Sequence, residues 1–267
     1  MCHKPYDWWS AQFFNRSAWD ERHQEDGSPA PTLSIKGGQQ TGQQGPASIT
    51  TNDFFVENIL EELDASGEFY LDTVTRMLYV VPPSGTESAF ARNDVSVIAP
   101  VHPRVIQVRG SSPTTFAHDI NIKGLAVRHS APTYMSDYEM PSGGDWSIHR
   151  GGAIFLDGTE DIAVDDVHVD KAGGNGIFLS QHAWRTSVTN NVISYAGDSA
   201  ILLVGSTELM NGTRDTYPAY TQIQGNLCYE MGYYGKQTAA YFKSIAYRSN
   251  VTNNVFFNSL HWSWNKL

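Results

Sequence analysis

The chain has almost no cysteine. Only Cys2 and Cys228 carry thiols, far apart and without metal-ligand spacing, so neither a disulfide framework nor a cysteine metal site organises the fold. Positive charge is scarce as well: 18 Lys and Arg face 28 Asp and Glu, a net charge of -10, and no basic block occurs. Binding to a phosphate backbone needs clustered cations, so nucleic acid is not an expected partner. No window approaches the roughly 18 consecutive apolar residues of a membrane span, and membrane insertion is not expected either. The opening stretch, MCHKPYDWWSAQFFNRS, lacks a basic region followed by an apolar one, so no signal peptide is read there. Phosphate-binding loops, metal motifs and Ser-His-Asp spacing of useful specificity are also missing, which sets aside ATP and nicotinamide chemistry.

What the chain does have is aromatic residues. They make up 12% of the sequence against 17% charged residues, a globular rather than disordered balance, and 267 residues can bury a sizeable core. An acidic surface rich in Tyr and Trp suits neutral or weakly basic ligands, and sugars are one such class. Three N-x-S/T sequons, at Asn15, Asn211 and Asn250, are close to chance for this composition and give only weak support for secretion.

Three regions are expected. Residues 1–53 read as irregular: an aromatic cluster (Trp8, Trp9, Phe13, Phe14, Trp19) precedes the polar tract DGSPAPTLSIKGGQQTGQQGPAS, which has no hydrophobic period and reads as loop. Residues 54–117 read as a leading module. FFVENILEELD sets Phe55, Ile59, Leu60 and Leu63 at helical spacing, and GEFYLDTVTRMLYVVPP reads as a β-hairpin turning at Thr73–Arg76. Further β runs follow in VSVIAP and RVIQVRG.

From residue 118 to 267 the chain repeats. DINIKGLAV, DIAVDDVHV, TSVTNNVIS, TQIQGNLCY and SNVTNNVFF share a short β run, two small polar residues and an apolar anchor: Leu125, Val167, Val192, Leu227 and Val255. The tightest spacing is about 25 residues, and second β runs such as GNGIFLS and DSAILLVG lie between the anchors. Constant cores with variable insertions predict an all-β solenoid, a right-handed parallel β-helix. Asn and Gly at the bends tolerate left-handed backbone angles, and the pairs Asn190-Asn191 and Asn253-Asn254 are placed for Asn stacking from turn to turn.

The run FFVENILEELDASGEFYLDTVTRMLYVVPP resembles the leading module of large right-handed β-helix proteins, many of them glycoside-hydrolase-like. PSGGDWSIHRGGAIFLDG, GGNGIFLSQ, GDSAILLVGS and EMGYYGKQTAAYF are similar to successive coils of one such subgroup. The resemblance covers about residues 54–258. It implies a pectate-lyase-like superfamily fold, an extracellular setting and action on or binding of carbohydrate; the expected partner is a polysaccharide or oligosaccharide, and a monomer is expected. Such proteins continue beyond the coil matching NVTNNVFFN, whereas this sequence turns into FFNSLHWSWNKL, so an incomplete stack of coils is expected.

Glycoside hydrolysis needs two carboxyl groups, about 5–5.5 Å apart for retention and 6.5–9.5 Å for inversion. Residues on adjacent coils stand about 4.8 Å apart, so carboxylates on neighbouring coils meet that need. Asp198 and Glu230 are the leading pair, with Asp145 and His149 as further catalytic candidates and Asp157 as another placed carboxylate. The competing reading is that these acids cap turns through backbone N–H groups. A polysaccharide lyase is a second alternative. It would use Lys236, Arg150 or Arg185 with His149 or His182, and Ca²⁺ or positive charge to neutralise a uronate. Asp161, Asp165, Asp166 and Asp170 are expected to be a solvated edge rather than a Ca²⁺ site, and no metal or other cofactor is assigned. Trp146, Arg150, His182, Arg185, Tyr233, Tyr234, Lys236 and Gln237 are the expected substrate contacts, supported by Trp184, Tyr195 and Tyr229 at turns. A non-catalytic glycan-binding or structural β-helix, or an inactive enzyme fragment, stands as the alternative to hydrolysis.

Overall fold

The computed structural model describes residues 57–111, 114–141, 147–208, 212–235 and 237–259. Before these it describes the backbone of four strands, Cys2–Lys4, Gln12–His23, Pro29–Gln40 and Asp53–Phe55. Those four form an antiparallel sheet, so a region expected to be irregular contains two twelve-residue strands. Backbone pairing along Gln12–His23 and Pro29–Gln40 satisfies the main-chain groups without any side-chain alternation, the signal on which the loop reading rested.

The leading module departs from expectation at two places. The helix over FFVENILEELD reduces to a single 3-10 turn, Leu60–Glu62. Asn58 explains this: it sits at φ 60, and its side chain both accepts from Leu71 N–H at 2.8 Å and donates to Leu71 C=O at 3.1 Å. That exchange ties the segment to the hairpin and turns the chain where a helix would continue. VSVIAP forms no strand. The hairpin is as expected, Phe69–Asp72 against Met77–Val80.

Beyond residue 105 the molecule is all β and its strands pair in parallel. A first sheet stacks Ile106–Arg109, Ile154–Glu160, Ile177–Trp184, Ile201–Val204 and Tyr241–Ser244; Ala117–His118 and Pro218–Ala219 join its far end. A second stacks Asn121–Lys123, Ala163–Asp165, Ser187–Thr189, Gln222–Gln224 and Asn250–Thr252. A third stacks Ala126–Arg128, His168–Asp170, Val192–Ser194, Leu227–Met231 and Val255–Ser259. The chain visits first, second and third sheet in turn and then repeats the circuit, an order compatible with a β-solenoid.

Each circuit sends one apolar residue per short strand into a shared core. Ile122, Val164, Val188 and Ile223 do so from the second sheet, and Val127, Val169, Ile193 and Cys228 from the third. Burial of each such side chain contributes about 1.5–3 kcal/mol. The repeat therefore has a different phase from the expected anchors. Leu125 and Val167 share a register with Asn191, Asn226 and Asn254, while Val192, Leu227 and Val255 lie one residue further on and point away from the core.

The Asn stacking is present. Asn191 Nδ2 donates to Asn226 Oδ1 at 2.9 Å, and Asn226 Nδ2 donates to Asn254 Oδ1 at 2.9 Å. The ladder ends where Val167 N–H donates to Asn191 Oδ1. Their partners Asn190 and Asn253 hold the bends at φ 54 and φ 56. Every bend in fact carries a residue at positive φ: Asp119, Asp161, Arg185, Tyr220 and Arg248 follow the first sheet, and His129, Lys171, Tyr195, Glu230 and Asn258 follow the third.

The first sheet differs from the other two. Its strands read as continuous apolar runs (AIFL, GIFL, AILLV) because both faces are covered. Ile154, Leu156, Ile177, Leu179, Ile201 and Leu203 face the core, whereas Phe155, Phe178 and Leu202 face outward beneath Ile148. The cover is a strap, described over residues 129–141 and 147–150. Arg150 fastens it: its guanidinium donates to Ser180 Oγ at 2.9 Å and to the carbonyls of Val204 and Gly205, and it pairs with Glu139.

Candidate functional site

Asp198 occupies the turn that leads into the strand Ile201–Val204, and its carboxyl is buried at 4% exposure. Its backbone N–H donates to Gly174 C=O at 3.1 Å, which fixes the turn against the preceding coil. The Tyr138 hydroxyl, brought by the strap, donates to Oδ2 at 3.1 Å. Burial lifts the carboxyl to about 6, against the opposing pull of the Tyr138 hydroxyl and Ser199 N–H. Asp198 is thus an acid that holds its proton in mildly acidic water, as a general acid must.

The surroundings of Asp198 are aromatic and close-packed. Tyr234 lies 4.9 Å from Tyr134, centroid to centroid, and 5.2 Å from Tyr233, which stands edge-on to it and exposed. His149 sits 5.9 Å from the Tyr138 ring and donates from Nδ1 to Asp137 C=O at 2.9 Å. Burial holds the His149 imidazole below its usual range. Gln237 and Thr238 follow in the loop; Gln237 Oε1 and Thr238 Oγ1 are buried without a hydrogen-bond partner among the described residues. Asp145, Trp146 and Lys236, also expected at the site, lie outside the described residues.

The other expected residues fall elsewhere. Glu230 holds a third-sheet bend at φ 56 and accepts from Asn258 Nδ2 at 2.8 Å. Among the described residues no hydrogen bond or ion pair joins it to Asp198. Asp157 faces outward from the first sheet and pairs with Arg109 at 3.0 Å. Arg150 is the strap's fastener, with its donors engaged by protein acceptors.

His182 and Arg185 belong to a second cluster, at the far end of the first sheet. The His182 ring is sandwiched between Phe116 at 3.8 Å and Trp184 at 4.6 Å. Its Nδ1 donates to Asp215 C=O, and its Nε2 meets Glu160 Oε1 at 2.9 Å. Arg185 grips Glu160 Oε2 at 2.6 Å and Asp161 at 2.8 Å; against partial desolvation, His182 and Arg185 together hold the Glu160 carboxyl below its usual range, and Arg185 does the same for Asp161. Two further acids of the expected solvated edge are engaged, Asp165 with Lys123 and Thr189 and Asp170 with Arg128 and Ser194, while Asp166 holds a bend at φ 55. Among the described residues no group of three His, Cys, Asp or Glu side chains is placed to hold a metal ion.

The second cluster extends into an exposed edge that sequence reasoning missed. Across the five circuits the residue before the first-sheet bend is His118, Glu160, Trp184, Ala219 and Tyr247, and the bend residue is Asp119, Asp161, Arg185, Tyr220 and Arg248. Trp184, Tyr220 and Tyr247 follow one another edge to face at 5.9 and 6.0 Å, and Arg248 lies 5.1 Å over the Tyr247 ring. Tyr220 and Tyr247 are both nearly half exposed. Aligning the repeats one residue earlier would have exposed this column. Tyr138 carried no such signal, because the strap is an insertion outside the repeat. Comparisons with protein-family models, with curated proteins and with solved structures find no match to this chain.

Proposed function

We propose that the protein is a carbohydrate-binding right-handed parallel β-helix of the pectate-lyase-like kind, which engages an extended polysaccharide along the edge formed by Trp184, Tyr220 and Tyr247. The observation that carries this reading is the edge itself: Tyr220 and Tyr247 exposed on successive circuits, with the partly buried Trp184 edge-on to Tyr220 and Arg185, Glu160 and Asp161 beside them. Rings offer apolar faces to sugar C–H groups, and the charged neighbours offer hydrogen bonds to hydroxyls. The likeness of residues 54–258 to glycoside-hydrolase-like β-helix proteins supports the same class of ligand and an extracellular setting. The test is affinity electrophoresis of the full chain in gels of different soluble polysaccharides. Tyr220→Ala and Tyr247→Ala should each weaken retention about tenfold, the loss of about 1.4 kcal/mol. Retention by no polysaccharide, or equal retention of both variants and the parent, overturns the reading.

A second reading, hydrolysis, is favoured by one observation, the buried Asp198 carboxyl, which burial lifts to about 6. On this reading its proton passes to the departing glycosidic oxygen as the C–O bond breaks. Water supplies the new hydroxyl at the anomeric carbon, and its remaining proton restores the acid. Release of reducing sugar that disappears in Asp198→Asn tests it; release that survives the substitution sinks it.

A further inference from the structure

His182 faces a demand that a neutral imidazole cannot meet. A neutral ring carries one N–H and one bare nitrogen that can only accept. Both partners here are acceptors: the Asp215 C=O stands 3.0 Å from Nδ1, and Glu160 Oε1 stands 2.9 Å from Nε2. Glu160 has no proton to offer in return, because its other oxygen, Oε2, is taken by the Arg185 guanidinium at 2.6 Å. The stack fixes the plane of the ring, with Phe116 at 3.8 Å on one face and Trp184 at 4.6 Å on the other. Both bonds therefore exist together only while the imidazole holds two protons.

Asp215 belongs to a turn that needs holding. In the stretch Gly212 to Tyr217 the backbone is left-handed at Gly212, Arg214 and Asp215, with φ 76, 62 and 56. Residues other than glycine adopt that region at a cost. Besides His182, the Trp184 indole N–H holds the turn by donating to Tyr217 C=O at 3.0 Å, and Thr216 C=O accepts from Ser206 N–H at 2.7 Å. The turn runs straight into Pro218–Ala219 and the bend residue Tyr220, whose ring stands edge-on to Trp184 at 5.9 Å.

Resting on the carbohydrate-binding reading, we propose that His182 is the positioning residue of the exposed edge and makes that edge sensitive to pH. Doubly protonated, its ring joins the turn to Glu160 and so sets Trp184 and Tyr220 for the ligand. When the ring gives up one proton to solvent, the N–H that remains stays with Glu160, because an anionic acceptor binds it more strongly than a carbonyl. Nδ1 then turns a lone pair on the Asp215 carbonyl, and the left-handed turn is released. The titratable and charged groups around the ring are Glu160, with Arg185 and Asp161 behind it, His118 and Asp119 beside Phe116, and Arg214, Asp215 and Tyr217 of the turn. Among the described residues only the Glu160 side chain forms an ion pair with the ring.

The test is nitrogen NMR of the full chain, isotope-labelled in its histidine rings and backbone amides and followed across pH, with the His182 signals assigned by their loss in His182→Phe. In the parent both ring nitrogens should carry protons at low pH. As pH rises Nδ1 should become bare, and the amides of Arg214 to Tyr217 should move in step. His182→Phe keeps an aromatic ring in the stack and removes both donors, so those amides should sit at the parent's high-pH positions throughout. Glu160→Gln should do the reverse. With Arg185 on the amide oxygen, the amide nitrogen donates to Nε2, and a neutral ring protonated at Nδ1 makes both bonds, so the turn stays docked at every pH. Should His182→Phe not fold, Glu160→Gln decides alone. Turn amides that follow pH in the folded variants as they do in the parent overturn the proposal. Affinity electrophoresis supplies the second readout: retention of the parent should weaken at least about fivefold across the same pH step, and retention unchanged across it removes the hold of His182 on the edge. The carbohydrate reading fails separately: NMR changes as stated, with no polysaccharide retained at any pH, remove that ligand and leave the pH-sensitive turn intact.

Discussion

The buried carboxyl of Asp198 gives this fold a pH response. Asp198 is lifted from 3.8 to about 6 by burial, with no cation among the described residues to offset it. A carboxyl whose folded-state value is raised contributes its full stability below the unfolded value and loses it as pH rises through the folded one. The window therefore runs from about pH 4 to about pH 6, and ionisation there costs about 3 kcal/mol. Asp198→Asn keeps an acceptor for Tyr138 and never ionises. It should remove that slope and leave the variant more stable than the parent at pH 7–8, by up to about 3 kcal/mol in urea unfolding. A parent whose stability is flat between pH 4 and 7 would contradict the burial argument. Asp198 could be picked out from sequence because it opens a repeated strand beside Gly197. Its partner Tyr138 could not, because nothing in the tract from 129 to 141 repeats. Cys228 was legible only as uninformative; it occupies the core column between Ile193 and Phe256, where burial pushes its thiol to about 12.

At the scale of elements, the bends specify more than the strands do. The three-residue strands of the second and third sheets carry little propensity of their own, and their register is held where the chain turns. Asn226 shows how. Its Oδ1 accepts from both the backbone and the side chain of Asn191, and its Nδ2 donates to Val188 C=O and to Asn254. Asn226→Ala should cost about 2–4 kcal/mol in thermal or urea unfolding, since it strands buried donors of Asn191 and an acceptor at Val188. Asn226→Asp should recover part of this by restoring the acceptor alone. A cost below about 0.5 kcal/mol would mean that the ladder is decorative. The Asn pairs were readable because two small polar residues recur at one position of the repeat. The phase was misread by one residue in two of five repeats, because Leu125 and Val167 are apolar where the other circuits carry Asn191, Asn226 and Asn254. Apolarity alone cannot distinguish a residue at a bend from one at the core. The cover over the first sheet was written more openly, in apolar runs too continuous for a sheet with one wet face.

For the whole molecule, the strands of each circuit pair with those of the adjacent circuits while the strap spans several, so stability is closer to a sum of circuit and interface contributions than to one global figure. The burial gradient shows where the sum is smallest. In the circuit from Ile177 to Ser194 the inward residues Ile177, Leu179, Val188 and Ile193 are fully buried, with a stacked circuit on either side. In the circuit from Tyr241 to Ser259 the corresponding Tyr241, Val251 and Phe256 are only partly buried, and Val255 and Phe257 are exposed. The strap fastens through Ile148 and Arg150 onto the Ile154, Ile177 and Ile201 strands, while from the later circuit Phe242 packs only half-buried against the same cluster and the Ser244 hydroxyl donates to Pro141 C=O. Native-state hydrogen exchange should therefore be graded along the stack. Amides of Ile177–Trp184 should open only near the global unfolding free energy, and those of Tyr241–Ser244 and Asn250–Thr252 at least about 2 kcal/mol sooner. Equal protection of the two circuits would show instead that the stack unfolds as one unit. The same gradient bears on function. The exposed edge runs from His118 to Arg248, so its Tyr247 and Arg248 end stands on the least protected circuit, while Asp198 lies within the most protected part of the stack. A polysaccharide bound along that edge should therefore raise the protection of Tyr241–Ser244 first and leave the amides around Asp198 unchanged.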